Sequence, residues 1–167
     1  MKKLFLLLMI LSAVNFAQEK NKLVIDEKSG KPMLIGLCDR IAFADSNFSW
    51  WFNSEYDNYT PDSVTVMKLS KQINEVNITI VMGTWCSDSR REVPRFFKIM
   101  DLLNYDQNNL TLICVDRNKT APAGEVEKLD IKLVPTLIFY KNDLEIGRIM
   151  ETPKETLEKD LALIVVK

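Results

Sequence analysis

The chain contains no histidine at all. That removes Ser-His-Asp and Cys-His catalysis, histidine-containing zinc sites and histidine-ligated haem. Cysteine is scarce. Cys38, Cys86 and Cys114 are far apart, so no close Cys-x-x-Cys pair exists for a zinc or iron–sulfur site. Charge of one sign is lacking too: the formal net charge is −1, which points to neither a nucleic-acid nor an anionic-membrane partner. No apolar run is long enough for a comfortable membrane span. There is no internal repeat and no low-complexity segment. Hydrophobic residues are not lacking. At 47% of 167 residues they suffice for the core of one domain with room for a short extension.

Residues 1–17 have the anatomy of a secretory signal. Lys2 and Lys3 form a charged start, Leu4 to Leu11 an apolar stretch, and Asn15-Phe16-Ala17 a cleavage region. Cleavage after Ala17 leaves 20 basic against 23 acidic residues, a formal charge of −3. No cysteine closely follows the apolar stretch, which argues against a bacterial lipoprotein. The expectation is export across an inner membrane, to a bacterial periplasm where disulfides persist, with no stable membrane insertion after cleavage.

Residues 18–59 read as an N-terminal extension. Lys22 to Asp26 and Met33 to Cys38 suggest a hairpin around the turn Asp26-Glu27-Lys28-Ser29-Gly30-Lys31-Pro32. Phe48-Ser49-Trp50-Trp51-Phe52, with Tyr56 and Tyr59, offers either an aromatic recognition surface or packing of the extension onto the domain. Packing is favoured, because large aromatics usually carry core burial. Residues 60–167 then read as helix, strand, helix, strand, short helix, hairpin and helix, that is, an α/β mixed sheet covered by helices on both faces. Within it, Thr60 and Pro61 look like a helix start, Glu125 to Leu129 like a short helix, and Thr152-Pro153-Lys154-Glu155 like a capping box.

The chain is organised around Ile78 to Met100. Ile78-Thr79-Ile80-Val81-Met82 is a β-branched apolar run and reads as a buried strand. Trp85 and Cys86 follow. A helical pattern then opens at Ser87, with apolar residues at Val93, Phe96, Phe97, Met100 and Leu103. Cys86 thus stands where a buried strand hands over to a helix N-terminus. Unpaired N–H groups and the helix dipole there favour the thiolate, the reactive form in thiol–disulfide exchange. Arg90 and Arg91 add positive charge nearby. Cys114, in a buried strand, reads as a small core residue.

Trp85-Cys86-Ser87-Asp88-Ser89, Pro94 in the following helix, and Val134-Pro135-Thr136 together resemble the thioredoxin superfamily over roughly residues 60–167. The matching features are its Trp-Cys-x-x-Cys site, its kinking helix proline and the cis-proline before a late strand. The resemblance implies a thioredoxin-like fold and thiol–disulfide exchange with protein or small-molecule thiols and disulfides, without cofactor or metal. It implies Cys86 as nucleophile and Trp85, Val134, Pro135 and Thr136 as the surface that meets substrate. Two departures stand out. Ser89 replaces the second cysteine, and Ile80 replaces a buried aspartate usual on the active-site strand. A hydroxyl cannot resolve a mixed disulfide, so the expected chemistry is monothiol, as reductase or isomerase. Resolution falls to a substrate thiol, a small thiol, or Cys38 if the extension folds over the site. Ser89 is left as a donor to the Cys86 thiolate. The alternative is a non-catalytic module that binds extended peptides. A peroxiredoxin-type site ranks last: its pattern needs proline at position 79 and threonine at 83, where this chain has Thr79 and Gly83.

Overall fold

The computed structural model describes residues 19–166; the expected leader over 1–17 lies outside them. Strand β1 (Lys22–Ile25) turns back through Asp26, whose carbonyl accepts from the Gly30 N–H at 2.8 Å, into β2 (Pro32–Cys38). Gly30 closes this turn at φ +68°, where a side chain is strained. Helix α1 (Ser46–Asn58) starts at Asp45, whose carboxylate accepts from the Asn47 N–H. Helix α2 (Ser63–Leu69), strand β3 (Asn77–Met82), helix α3 (Ser87–Leu102) and strand β4 (Leu110–Cys114) follow. Strands β5 (Thr136–Lys141) and β6 (Leu144–Met150) form the late hairpin, and α4 (Leu157–Val165) closes the described chain.

The strands make one six-stranded sheet in the order β1-β2-β4-β3-β5-β6. Only β3 and β4 run parallel, joined by the crossover through α3; every other pairing is antiparallel. The four helices flank this mixed sheet, and the arrangement is a thioredoxin-like α/β fold. The N-terminal segment read as an extension supplies two of the strands: Gly36, Leu37 and Cys38 pair with Cys114, Ile113 and Leu112.

Alternation along the central strands sorts the core. Ile78, Ile80 and Met82 of β3, Leu112 and Cys114 of β4, and Leu137 and Phe139 of β5 enter a large cluster with α1, α2, α3 and α4. Val81, Ile113 and Val115 enter a smaller one with Val126, Val134 and the flanks of Trp85 and Cys86. Most of the aromatic stretch packs onto the domain. Phe48, Trp51 and Phe52 are buried, Phe52 stacks on Phe43 at 4.8 Å, and Trp50 alone of the run's rings is largely exposed. Each fully buried large side chain of this kind contributes about 1.5–3 kcal/mol. The Arg40 guanidinium lies over the Phe52, Tyr56 and Phe97 rings and holds Asp101 at 2.6 and 2.8 Å, which ties α1 to α3.

Three local expectations are corrected. The first helix of the 60–167 stretch is capped by Asp62, not Thr60; the Asp62 carboxylate accepts from the Val64 N–H. The last helix is capped by Thr156, because the Asp160 carboxylate captures the Lys154 and Glu155 N–H groups that a helix begun at Pro153 would need. Residues 125–129 form turns, not a helix.

Candidate functional site

β3 ends at Met82 and the chain makes a tight turn, in which the Cys86 N–H donates to the Gly83 carbonyl at 2.9 Å. Cys86 is the N-cap of α3, with extended backbone (φ −89°, ψ 130°), and its side chain makes no capping bond. The half-buried thiol instead donates to the Val134 carbonyl at 3.2 Å. The Val134–Pro135 peptide bond is cis. Of the three residues of this loop, Val134 thus meets Cys86; the side chains of Val134, Pro135 and Thr136 are buried, and the Thr136 hydroxyl donates to the Leu133 carbonyl at 2.7 Å.

Trp85 is fixed by two contacts that lie far off in sequence. Its Nε1 donates to the Val115 carbonyl at 2.9 Å, and the Arg117 guanidinium covers its ring at 5.0 Å. Arg117 is itself clamped by Asp26, with contacts of 2.8–3.1 Å. The Arg117 guanidinium and the Ser29 hydroxyl hold the Asp26 carboxyl well below the usual carboxylate range. Gly83 makes room for the indole: a Cβ there would stand 2.5 Å from its Cε2. Thr84 is buried and its hydroxyl accepts the Leu34 N–H at 3.1 Å, which hangs the turn on β2.

Ser89 is fully buried, and its Oγ accepts the Gly83 N–H at 3.2 Å. Its bond is to the turn, not to Cys86, so the structure gives it a positioning contact rather than the expected one to the thiol. The two adjacent arginines part company. Arg91 is consumed by Asp88 at 2.8 Å and Glu92 at 2.6 Å, whereas Arg90 folds back so that its Nε donates to the Thr84 carbonyl at 2.5 Å. The position usual for aspartate holds Ile80, fully buried in apolar surroundings.

Cys38 and Cys114 lie on the other side of the sheet from Cys86. They are cross-strand neighbours on β2 and β4, both buried in the large cluster. Contact with Cys38, together with burial, pushes the Cys114 thiol well up. Cys38 is thus not brought to Cys86. Sequence reasoning missed Arg117 and Asp26, which no local pattern joins; the single available signal was charge in two loops. Among the described residues, no group of histidine, cysteine, aspartate and glutamate side chains is arranged to hold a metal, and no helix is long and apolar enough to cross a membrane.

The parallel β3–α3–β4 unit, the antiparallel β5–β6 hairpin and a cysteine opposite a cis-proline loop place this chain in the thioredoxin-like fold class. No protein-family model matches the chain, and no curated protein does. Among solved structures it is similar to a Pseudomonas aeruginosa protein of unknown function, with 18% identity and a TM-score of 0.45 over 69% of this chain and 68% of that one. It is also similar to Chlamydomonas reinhardtii thioredoxin f2, with 20% identity and a TM-score of 0.39 over 59% of this chain and 83% of that one. The Drosophila thioredoxin Deadhead aligns with 12% identity and a TM-score of 0.42 over 59% of this chain and 88% of that one.

Proposed function

We propose that this is an extracytoplasmic thiol–disulfide exchange protein that works through the single thiol of Cys86. The observation that carries the reading is the placement of that thiol. It is half-exposed at the start of α3, and its one hydrogen bond is to the Val134 carbonyl of the proline loop at 3.2 Å. In the proposed reaction the Cys86 thiolate attacks one sulfur of a substrate disulfide. A Cys86–substrate disulfide forms, and the other sulfur leaves as a thiolate. A second thiol, from the substrate or from a small molecule, then attacks this mixed disulfide and restores Cys86. Ser89 supplies no resolving thiol, and Cys38 and Cys114 are buried in the other cluster, so resolution comes from outside the site. Trp85 offers an apolar wall, and the backbone of Val134 to Thr136 offers the surface that an extended substrate lies along.

The test is alkylation of the folded protein by iodoacetamide, followed by mass mapping, together with trapping of mixed disulfides. Cys86 is expected to label at least tenfold faster than Cys38 and Cys114, whose burial withholds them until unfolding, and to be the residue trapped. Equal, slow labelling of all three thiols with no trapped disulfide at Cys86 overturns the reading. It would leave a scaffold for binding extended peptides.

A further inference from the structure

The described chain has six arginines, and five of them face a carboxylate. Arg40 holds Asp101, Arg91 holds Asp88 and Glu92, Arg95 holds Glu55, Arg117 holds Asp26 and Arg148 holds Glu145. Arg90 has none. Its bonds are the one from Nε to the Thr84 carbonyl and an approach of 5.9 Å to the Trp51 ring, which leaves the two terminal amino groups of its fork without an acceptor. The side chain is half-buried, and neither terminal amino group is among the fully buried polar atoms that lack a partner, so both stay open to solvent or to a bound anion. Partial burial disfavours its charge most, while Cys86 favours that charge and Arg117 opposes it. Cys86 likewise favours the charge of Arg117, which lies over the Trp85 ring. The nearby acids are spoken for: Asp26 by Arg117, and Asp88 and Glu92 by Arg91. The turn that carries the thiol is therefore flanked by two guanidinium groups, one of them waiting for an anion.

We infer that Arg90 is a receptor for a carboxylate on the substrate, so that the site selects disulfides with an acidic group close to the sulfur. The inference rests on the thiol–disulfide reading above. The step is the same exchange: Cys86 displaces one half of the disulfide as a thiolate, while the carboxylate of the bound half lies against the free N–H groups of Arg90. A charge-assisted contact of this kind, partly exposed to solvent, changes a rate by roughly tenfold.

The experiment measures rates of mixed-disulfide formation at Cys86 with three small disulfides: dithiodipropionate (anionic), bis(2-hydroxyethyl) disulfide (neutral) and cystamine (cationic). Each rate is divided by that of a free cysteine derivative. The anionic-to-neutral ratio is expected near ten and the cationic-to-neutral ratio below one, both converging as salt rises. Arg90→Gln is expected to remove most of the anionic advantage and Arg90→Lys to retain part of it, so the lysine variant keeps the test alive should the glutamine variant not fold. A disulfide peptide with Glu beside its cysteine, against its Gln counterpart, separates the sources. An advantage shared by the Glu peptide marks an acidic protein segment, one confined to the small acid marks a low-molecular-weight thiol acid, and both support the inference. A ratio near one, or a ratio that Arg90→Gln leaves unmoved, overturns it while leaving the exchange activity standing. Failure of all three probes to react at Cys86 overturns the exchange reading and the inference together.

Discussion

Replacing Gly83 with alanine tests whether the site depends on how Trp85 is seated. A Cβ at position 83 would stand 2.5 Å from Cε2, 2.6 Å from Nε1 and 2.9 Å from Cζ2 of the Trp85 indole. No carbon tolerates such distances. The rigid ring is held by the 2.9 Å bond from Nε1 to the Val115 carbonyl and by the Arg117 guanidinium above it. Since Trp85 is only half-buried, the cheapest response is for the indole to swing outward. That forfeits one hydrogen bond, about 1 kcal/mol, and part of the ring's apolar burial, about 1–2 kcal/mol. Against this stands the gain from a less flexible unfolded chain, about 0.5 kcal/mol. Gly83 can supply that gain because its φ lies outside the left-handed region.

The net expectation is a loss of about 2 kcal/mol, or roughly 4–8 °C in Tm for a domain of this size. The assay is guanidinium and thermal unfolding followed by far-ultraviolet circular dichroism, run as a double-mutant cycle with Trp85→Ala. Without the indole the clash disappears, and Gly83→Ala should become neutral or stabilise by about 0.5 kcal/mol. The coupling is then about 2–2.5 kcal/mol. Equal effects of Gly83→Ala in the two backgrounds would refute the argument, since the cost would then belong to the backbone and not to the ring. Gly147 serves as a contrast. A Cβ there meets Cγ1 and Cγ2 of Ile164 at 3.0 Å, a less severe approach than 2.5 Å, so Gly147→Ala should cost less.

Two further outcomes follow from other contacts. Burial pushes the Glu158 carboxyl up, but the Asp62 N–H at 3.0 Å and the Tyr59 hydroxyl at 2.6 Å hold its charged form, and the net value is lowered. Because the folded value lies below the unfolded one, Glu158 stabilises the fold fully above about pH 4.5, and the contribution is lost as pH falls through the lowered folded value. Urea midpoints should thus fall more steeply between pH 5 and pH 3 in the wild type than in Glu158→Gln, and parallel slopes would count against the assignment. At the site, Ser89→Cys should cost about 1 kcal/mol, because a thiol is a poorer acceptor for the Gly83 N–H than the hydroxyl now 3.2 Å away. It should also create a disulfide with Cys86 that mass spectrometry detects after mild oxidation, and raise insulin-disulfide reduction several-fold. Absence of that disulfide would mean that the first turn of α3 does not bring positions 86 and 89 together.

What the sequence shows of this fold is what short-range physics decides. Ile78 to Met82, Leu110 to Cys114 and Thr136 to Lys141 are strands because β-branched and apolar residues run unbroken between turn residues, and Cys86 falls at a helix start for the same local reason. Helix starts are less legible wherever polar residues compete. The capping box read at Thr152 fails because the Asp160 carboxylate binds the Lys154 and Glu155 N–H groups before the helix begins, and Thr156 caps it instead. Residues 125–129 carry a helical pattern yet form turns, with Val126 and Leu129 packed into the smaller cluster with Ala121, Ile131 and Val134.

The illegible part of the site is the part made by distant pairs. The Leu34 N–H reaches the Thr84 hydroxyl across 50 residues, and Asp26 reaches Arg117 across 91. Each belongs to a segment whose own pattern says only turn or edge strand. Together they make the N-terminal hairpin a support for the cysteine turn. Strand β2 holds Thr84, and the turn after β1 holds the arginine that covers Trp85. The consequence is electrostatic as well as mechanical. By pairing with Arg117, Asp26 fixes where that positive charge stands, on the Trp85 side of the thiol. Among the described residues no carboxylate does the same for Arg90 on the other side. The asymmetry between the two arginines is invisible in the Arg90-Arg91 dipeptide, where Arg91 looks equally placed. It arises because Asp88 and Glu92 sit three residues before Arg91 and one after it and take that side chain alone. Helix geometry spends one arginine on the helix and turns the other back over the turn that carries the thiol.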